Sequence, residues 1–379
     1  MRAMKNKFWY AAALLVASLV GIGLFGIPYT FAQVGFGVGL IFFIILTVLI
    51  LITNLLYGEV ILRTHSRHQF IGFVNTYLGP WSSRLNLFTF WISVYGAIIG
   101  IMIINGLFLS GVFAFFGISI SPLILSTVFI VVALALVYLG LKTVSHIDFC
   151  VMIAVMAIIF VIAAAGISKM HDSFFVFATG APWFLPFGVI LFALNGTQGV
   201  PLVREALVGK EHLYKRALMY GTLIPAVFYL IFTISVVGIS GPFTTVDAIS
   251  GLAGRLGGWV VLIGSIFGFL TSTTIFLSIV TAFRVSLRED LHWRGKAVFL
   301  PALLPPIVLF YLGVNNFIAI IGLVGGVAVG IEMILLLFVY AKSKERGTRI
   351  PEYSMNIPNP ILYLMMLIFA LGALYTLTI

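Results

Sequence analysis

The chain has 379 residues, of which 62% are hydrophobic and only 8% are charged, and its formal net charge is +10. A soluble domain of this length cannot bury so much apolar surface, so the composition excludes a soluble protein and indicates one that crosses a membrane many times. The single cysteine excludes an internal disulfide.

Eleven apolar stretches are predicted to be membrane-spanning helices. They cover residues 8–33, 37–62, 85–116, 122–141, 148–168, 183–203, 217–239, 258–283, 297–312, 317–340 and 358–378. The first follows basic residues, as a signal peptide would, but it is too long and has no small-residue cleavage site, so we expect it to be retained. The prediction is an all-α membrane protein with a single transmembrane domain over residues 1–379.

The first stretch is interrupted near its middle by the run Gly21-Ile22-Gly23-Leu24-Phe25-Gly26-Ile27-Pro28. Inside a helix each glycine costs about 1 kcal/mol and a proline about 3 kcal/mol. Backbone that leaves the helix at membrane depth is tolerated only where it is buried in protein or lines a cavity. Such a break offers free N–H groups to a carboxylate and free carbonyls to a cation; the alternative is a kink that lets helices pack closely.

A second break with the same layout lies in the sixth stretch, in the run Ala193-Leu194-Asn195-Gly196-Thr197-Gln198-Gly199-Val200-Pro201. Gly196 precedes Pro201 by five residues, as Gly23 precedes Pro28 in the first run. Interrupted spans in matching positions of two halves indicate a transporter whose binding site lies at the breaks. The paired breaks therefore favour a transporter over a packing kink.

The basic residues lie almost entirely on one side of the predicted topology. When the N-terminus is placed in the cytoplasm, every lysine and arginine except Lys169 and Arg255 falls on the cytoplasmic side. This follows the positive-inside rule and explains the net charge, so nucleic-acid binding is not required. The sequence predicts a multi-pass protein of the cytoplasmic (inner) membrane with a cytoplasmic N-terminus and an external C-terminus.

Three loop segments carry recognisable patterns. Residues 169–182 are rich in aromatic side chains and are predicted to lie along the external interface.

The run Thr244-Thr245-Val246-Asp247 has the pattern of a short capped helix, which could cover an external vestibule. His65 and His68 have a spacing that could share a metal ion, but no third ligand is near, so we expect a solvated face there.

Polar side chains at membrane depth are costly, so they mark the candidate functional groups. The consecutive hydroxyls of Thr271-Ser272-Thr273-Thr274 could help to hold a hard cation such as Na⁺, or could bond to their own helix and serve packing. Glu332 in the tenth stretch is a candidate for proton coupling or gating. Tyr95 and Asn105 in the third stretch could face the same cavity, with helix packing as the alternative.

Glu59 lies four residues before Arg63 near the cytoplasmic end of the second stretch, and this spacing predicts a structural ion pair. Nothing in the sequence indicates an enzyme, since it has no Ser/His/Asp order, no cluster of metal ligands and no phosphate-binding glycine loop followed by lysine. We therefore expect no cofactor other than a coupling Na⁺.

The first break resembles the first-helix signature of the amino acid–polyamine–organocation superfamily, whose members have the LeuT-like fold. Tyr57-Gly58-Glu59-Val60 followed by Tyr77-Leu78-Gly79-Pro80 resembles the second helix and inner loop of aromatic amino acid permeases. Pro305-Pro306 and Asn315-Asn316-Phe317 are similar to that branch and to its amino acid/auxin permease relatives, which also have eleven spans. The resemblance implies a five-plus-five inverted repeat, at about residues 8–168 and 183–340, with one extra helix at about 358–378.

The resemblance also implies a binding site at the two breaks. In the superfamily, first-helix amides bind the substrate carboxylate, and the matching residues are Gly21, Ile22 and Gly23, with Ser18 one turn earlier. Carbonyls for the amino group and part of the side-chain pocket would come from Ala193, Leu194, Asn195 and Gly196. In sodium-coupled members Na⁺ lies between the first and eighth helices, and the matching residues are Ala17, Val20, Gly268, Thr271 and Ser272.

The sequence as a whole predicts a secondary active transporter that moves a small-molecule amino acid by alternating access, coupled to Na⁺ or H⁺. Some proton-coupled relatives place a fifth-helix lysine at the ion position; the fifth stretch here has none, which favours Na⁺, while Glu332 keeps a proton mechanism open. The alternatives are an uncoupled uniporter or exchanger and an amino acid sensor with the same fold. The expected partners are the substrate and the lipid bilayer, with no nucleic acid.

Overall fold

The computed structural model describes residues 2–66, 68–138, 145–180, 182–289 and 300–378, and this part of the chain is helical with short connections and no strand. Its helices, in chain order, are α1 (Arg2–Leu19), α2 (Gly23–Val34), α3 (Phe36–Arg63), α4 (Phe70–Leu78), α5 (Pro80–Phe115), α6 (Pro122–Tyr138), α7 (Ser145–Gly166), α8 (Leu185–Leu194), α9 (Gly199–Ala206), α10 (Tyr214–Ser240), α11 (Ala253–Leu256), α12 (Gly258–Glu289), α13 (Leu300–Tyr311), α14 (Phe317–Leu323), α15 (Gly330–Arg346) and α16 (Asn359–Thr376). A π-helix, Val324–Val329, joins α14 to α15. The prediction of an all-α fold is confirmed.

Every stretch that was predicted to span the membrane overlaps at least one of these helices. Seven helical segments in the described residues are long and apolar enough to cross a membrane, and α1 and α2, which meet at an angle of 59°, reach that length together. α6, α7 and α13 are not among these segments, so the count of eleven spans stays a prediction.

α5 begins at Pro80, five residues before the start predicted for the third span. Proline is favoured at the first helical position because its missing N–H would have no partner there. Gly79 provides the turn before it with a φ of 88°, a conformation that favours glycine. The helix is therefore longer than its apolar stretch, because local backbone chemistry and not hydropathy sets its start.

The two broken helices lie at the centre of the bundle. α1 packs against α9 and α10, and α2 packs against α8 and α10. The long helices α5 and α12 pack along each other, and α5 also contacts α14 and the π-helix. α3 packs against α8, α10 and α15, while α16 packs on α15. Neighbouring helices thus shield both interrupted backbones from lipid, as membrane depth demands.

One end of the bundle gathers basic side chains around the carboxyl end of α3, and we call it the basic side. Arg204, at the end of α9, donates to the carbonyl of Ile61 at 2.8 Å. Arg349, in the connection between α15 and α16, donates to the carbonyl of Leu62 at 3.2 Å. Both guanidinium groups therefore satisfy carbonyls that the helix end leaves without a partner.

Glu59 is the centre of a buried hydrogen-bond network on the basic side. Its fully buried carboxylate accepts from Arg63 at 2.7 Å, from the Ser354 hydroxyl at 3.0 Å and from the Met355 N–H at 2.5 Å. Ser354 and Met355 belong to the α15–α16 connection, residues 347–358. The predicted ion pair with Arg63 is present, and it also ties the end of α3 to a segment that is remote in sequence.

Residues 169–180 fold over helix ends on the side opposite to the basic side. The N–H of Val38 donates to the carbonyl of Phe177 at 3.0 Å, and the Phe175 ring packs edge-on against Phe36 with centroids 4.9 Å apart. The segment is thus anchored to the start of α3 as well as exposed at Phe177.

The prediction of a capped helix beginning in residues 244–247 is wrong. The Thr244 hydroxyl donates to the carbonyl of Gly241 at 2.6 Å, and no helix starts there. Asp247 instead accepts the N–H of Ser250 at 3.2 Å, where a 3₁₀ turn leads into α11. The carboxylate therefore binds a backbone N–H at the start of this turn, in a side-chain-to-backbone bond that is typical of Asp before a turn.

The two histidines near the end of α3 are not close to a cluster of ligands. The His68 ring packs edge-on against Phe73 with centroids 5.5 Å apart, and His65 is exposed. Among the described residues, no group of three His, Cys, Asp or Glu side chains could hold a metal ion.

Candidate functional site

The first break separates α1, which ends at Leu19, from α2, which begins at Gly23. Within the described part of the chain, the N–H groups of Gly21, Ile22 and Gly23 have no backbone acceptor. The Tyr229 hydroxyl donates to the carbonyl of Leu19 at 2.7 Å and lies beside the N–H of Gly21. Ile22 and Gly23 therefore present free donors at a helix N-terminus, where a carboxylate is favoured.

We expect Tyr229→Phe to lower the free energy of unfolding by about 1–3 kcal/mol, because it leaves the buried carbonyl of Leu19 without its donor. Unfolding of detergent-purified protein by heat or denaturant measures this loss. Tyr220→Phe is the matched control, since Tyr220 lies on the same helix and its side chain is 48% exposed. Equal stability of the two variants would contradict the assigned hydrogen bond.

The second break separates α8, which ends at Leu194, from α9, which begins at Gly199. The carbonyls of Ala193 and Leu194 accept no hydrogen bond from the described residues. Asn195 folds back onto the break, where its Oδ1 accepts from the N–H of Thr197 at 3.3 Å and from the Thr197 hydroxyl at 2.8 Å. Free carbonyls at the carboxyl end of a half-helix suit an amino group or a cation.

The two breaks touch each other. A Cβ placed on Gly23 would lie 2.6 Å from the Cα of Ala193, and one placed on Gly199 would lie 2.6 Å from the Oγ of Ser18. A real Cβ atom does not fit at these distances, so only glycine, which has no Cβ, can occupy the two positions. The structure thereby brings the substrate-site candidates on both breaks into one region: Ser18, Gly21, Ile22, Gly23, Ala193, Leu194, Asn195 and Gly196.

Two polar side chains at the breaks are exposed. They are Ser18 on α1, which lies against Gly199, and Gln198, the residue before it. Further along the first break and its neighbour α5 the packing is close, since a Cβ on Gly26 would lie 2.6 Å from Ile321 and one on Gly100 would lie 3.0 Å from Ile22. A polar face at this depth is tolerated where it lines a cavity and not where it meets lipid.

Glu332, on the first turn of α15, contacts the second break. The Nδ2 of Asn195 donates to its Oε2 at 3.3 Å. Among the described residues, no lysine, arginine or histidine lies within ion-pair distance of this carboxyl group. An ionised carboxylate without a cation is costly at membrane depth, so the position suits a group that carries a proton.

The candidate Na⁺ ligands are only partly brought together. The hydroxyls of Thr271 and Ser272 donate to carbonyls of their own helix at 2.8 and 2.7 Å, and the Ser272 hydroxyl also lies against the side-chain amide of Asn105. These are the packing bonds of the alternative interpretation. The first break approaches α12 where a Cβ on Gly21 would lie 3.9 Å from the Ile275 side chain.

The fit to Na⁺ rests on oxygen atoms of two helices. The carbonyls of Ala17 and Val20 accept no hydrogen bond from the described residues, and hydroxyls that donate keep lone pairs for a cation. Gly268, however, lines a small apolar cavity of about 20 Å³ together with Leu24 and Phe25. These oxygen atoms thus suit a hard cation, while the apolar surroundings of Gly268 supply no further ligand.

Tyr95 is placed away from the substrate-site candidates. Its hydroxyl donates to the carbonyl of Pro301 on α13 at 2.8 Å, and its ring packs against Trp91 and Phe283. The packing role given as the alternative accounts for these contacts. The reason is helix rotation, because the face of α5 that meets the first break carries Gly100 instead.

Two functional side chains were missed by sequence reasoning. Tyr229 holds the end of α1, and Thr197 fixes the amide of Asn195. Tyr229 lies inside an apolar span that is rich in aromatic residues, so no local pattern distinguishes it. Thr197 lies within the second break, and its position two residues after an asparagine is a signal for side-chain-to-backbone bonding.

Comparisons with known proteins agree with this geometry. The model of the tryptophan/tyrosine permease family matches residues 4–376. A search of curated proteins finds no match. Among solved structures, the crystal structure of MhsT in complex with L-phenylalanine superposes with a TM-score of 0.66 at 12% identity, covering 98% of this chain and 97% of that chain. At this identity the likeness establishes the fold, which is LeuT-like.

Proposed function

Because the chain belongs to the tryptophan/tyrosine permease family, we propose that it is a secondary active transporter that moves an aromatic amino acid across the cytoplasmic membrane together with a proton. The chain is a multi-pass membrane transporter and not an enzyme. The observation that carries the proposal is the contact of two broken helices with Glu332 beside them.

The substrate would be held by its backbone groups at the breaks. The free N–H groups of Ile22 and Gly23 suit its carboxylate, and the free carbonyls of Ala193 and Leu194 suit its ammonium group. The family name and the L-phenylalanine in MhsT support an aromatic side chain. The basic side is the cytoplasmic one in this proposal.

The proton is favoured as coupling ion because Glu332 touches the substrate region. A hydrogen bond joins it to Asn195 in the second break, and Thr197 lies beside it, so its protonation acts directly on the site. Binding of substrate and proton would then shift the population between states open to either side. Na⁺ is the second candidate, supported by the free carbonyls of Ala17 and Val20 at the first break, which approaches α12 at Gly21.

Uptake into proteoliposomes tests this function. We expect an inward proton gradient to accumulate L-tryptophan, L-tyrosine or L-phenylalanine without Na⁺, and a protonophore to abolish accumulation. Glu332→Gln should lose gradient-driven accumulation and keep exchange of labelled for unlabelled substrate, because the neutral side chain still accepts from Asn195. In detergent, a bound substrate at about 100 times its Kd should raise the stability by about 2.7 kcal/mol.

Glu345→Gln is the matched control, since Glu345 lies on the same helix and pairs with Lys342 at an exposed position. Accumulation that follows a Na⁺ gradient and ignores pH would reject the proton and favour the Na⁺ site. Accumulation that survives the protonophore and the loss of Na⁺ would leave an uncoupled uniporter or exchanger. Substrate binding with no transport at all would point to a sensor.

A further inference from the structure

Asn105 of α5 and Ser272 of α12 form a polar contact in the interior of the bundle. Both side chains are buried, and the side-chain amide of Asn105 lies against the Ser272 hydroxyl. Only one end of the amide can face this hydroxyl, and the atom at the other end has no hydrogen-bond partner among the described residues. Native proteins pair nearly all buried polar atoms, so the second end indicates a binding function.

The hydrogen bonds of Ser272 fix which end of the amide faces it. The hydroxyl has one hydrogen and lies 2.7 Å from the carbonyl oxygen of Gly268 and 3.1 Å from that of Phe269. A carbonyl can only accept, so this hydrogen is directed at the helix itself, and the hydroxyl oxygen presents a lone pair to Asn105. The two ends of an amide have nearly the same shape, so hydrogen bonds decide its orientation. The amino group of Asn105 therefore donates to Ser272.

In this orientation the unpaired atom of Asn105 is its side-chain oxygen, Oδ1. The hydroxyls of Thr271, Thr273 and Thr274 donate to carbonyls of their own helix. Ser265 has a free hydroxyl but lies about two turns away along α12. These hydroxyls are thus not the partners of Oδ1, and a buried acceptor of this kind suits a donor that arrives with a ligand.

Asn105 lies behind the first break. On α5, a Cβ on Gly100 would lie 3.0 Å from the Ile22 side chain, and the Phe108 ring packs edge-on against Phe25 with centroids 4.9 Å apart. Asn105 lies between these two contacts along the helix, and it is one turn from Phe108 and therefore its neighbour on the helix surface. Ile22 and Phe25 lie at the start of α2, where the free N–H groups suit the substrate carboxylate.

The side chain of the substrate has to point away from the two breaks, because the breaks hold its carboxylate and its ammonium group. α5 and α12 flank the first break, which they meet at Gly100 and at Ile275, and Ser272 is three residues before Ile275. Phe108 joins this wall to the break, since its ring contacts Phe25 and also lies 2.5 Å from a Cβ on Gly268 of α12. The wall is thus aromatic, with a buried amide oxygen beside it.

We propose that Asn105 determines which aromatic side chain is accepted: its Oδ1 accepts the indole N–H of L-tryptophan or the phenol O–H of L-tyrosine. The inference rests on the proposed function as a transporter of aromatic amino acids. L-Phenylalanine has no donor on its ring, so it leaves the oxygen unpaired. A site built to receive a donor discriminates against the analogue that lacks it for this reason.

The test is equilibrium binding to the detergent-purified protein. In the wild type we expect L-tyrosine to bind about 10–100-fold more tightly than L-phenylalanine. 1-Methyl-L-tryptophan, which has no indole N–H, should bind more weakly by a similar factor than 5-methyl-L-tryptophan, which has the same size and keeps the N–H. Asn105→Leu has a similar shape and no acceptor, so both ratios should fall to about 2-fold or less.

Ser265→Ala is the matched control, because it removes the other unpaired polar group of α12 that is buried. Both ratios should keep their wild-type values in this variant. If the wild type binds the members of each pair equally, or if Asn105→Leu keeps the full discrimination, the role of Asn105 is rejected and the proposed function stands. If Asn105→Leu alters only a dependence of binding on Na⁺, the oxygen serves a cation and the inference is rejected.

Failure of the proposed function gives a different result, since no aromatic amino acid would then bind to the wild type. The pair of methylated ligands is compared in the wild-type protein, so equal binding of the two rejects the inference even where Asn105→Leu does not fold.

Discussion

Gly23→Ala is expected to lower the initial rate of L-tryptophan uptake by about 100-fold, because a misplacement of about 1 Å at a reacting or binding site has an effect of this size. The new Cβ would lie 2.6 Å from the Cα of Ala193 and 3.1 Å from its nitrogen. Backbone atoms cannot turn aside as a flexible side chain does, so the two half-helices must separate. Uptake into proteoliposomes with equal amounts of protein measures the effect.

Gly21→Ala is the matched control for this change. At Gly21 the nearest neighbours of a Cβ are the Leu19 carbonyl oxygen at 3.6 Å and the Ile275 side chain at 3.9 Å, which are ordinary contacts. This variant should keep most of the uptake. An equal loss in both variants would show that any side chain in the first break is harmful, and the close contact with Ala193 would not be the cause.

Glu59→Ala should lower the free energy of unfolding by about 3–5 kcal/mol, because it breaks a buried ion pair and removes the acceptor of further donors. Arg63, Ser354 and the Met355 N–H would all lose their shared partner. Thermal unfolding in detergent should show a fall in Tm of roughly 5–10 °C.

The matched comparison is Glu59→Gln, which keeps an acceptor for Ser354 and Met355 and loses the charge. We expect this change to lower the free energy of unfolding by about 1–2 kcal/mol, which is the difference between a charged and a neutral hydrogen bond. Glu352→Ala removes a carboxylate from the same connection that pairs with Arg349 at a partly exposed position, and should cost less than 1 kcal/mol. If Glu59→Ala is no worse than Glu352→Ala, the network around Glu59 does not stabilise the fold.

The breaks could be predicted from sequence because their cause is local. Glycine and proline disrupt a helix through their own backbone chemistry, whatever surrounds them. The structure places the end of α1 at Leu19, just before the first predicted run, and the end of α8 at Leu194, inside the second, while Pro28 and Pro201 lie within α2 and α9. The ion pair of Glu59 with Arg63 was predictable for the same reason, since four residues on a helix bring side chains together.

The partners of the polar side chains could not be predicted, because they depend on how each helix is rotated. The spans are apolar on nearly all faces, so periodicity does not say which face meets which neighbour. Asn195 and Glu332 are 137 residues apart, and Tyr229 and Leu19 are 210 apart. Whether Tyr95 faces the substrate site or packs against a neighbouring helix depends on the rotation of α5, which the sequence does not give.

The network around Glu59 also has a consequence for how the chain is made. Its partners Ser354 and Met355 are 295 and 296 residues further along, in the connection that precedes the last helix. At a synthesis rate of about 5–20 residues per second, α3 would wait about 15–60 s in the membrane before these donors emerge. During that time Arg63 is the partner within reach of Glu59 on its own helix. The early helices can therefore insert in order, but their basic end cannot be completed until translation has almost finished.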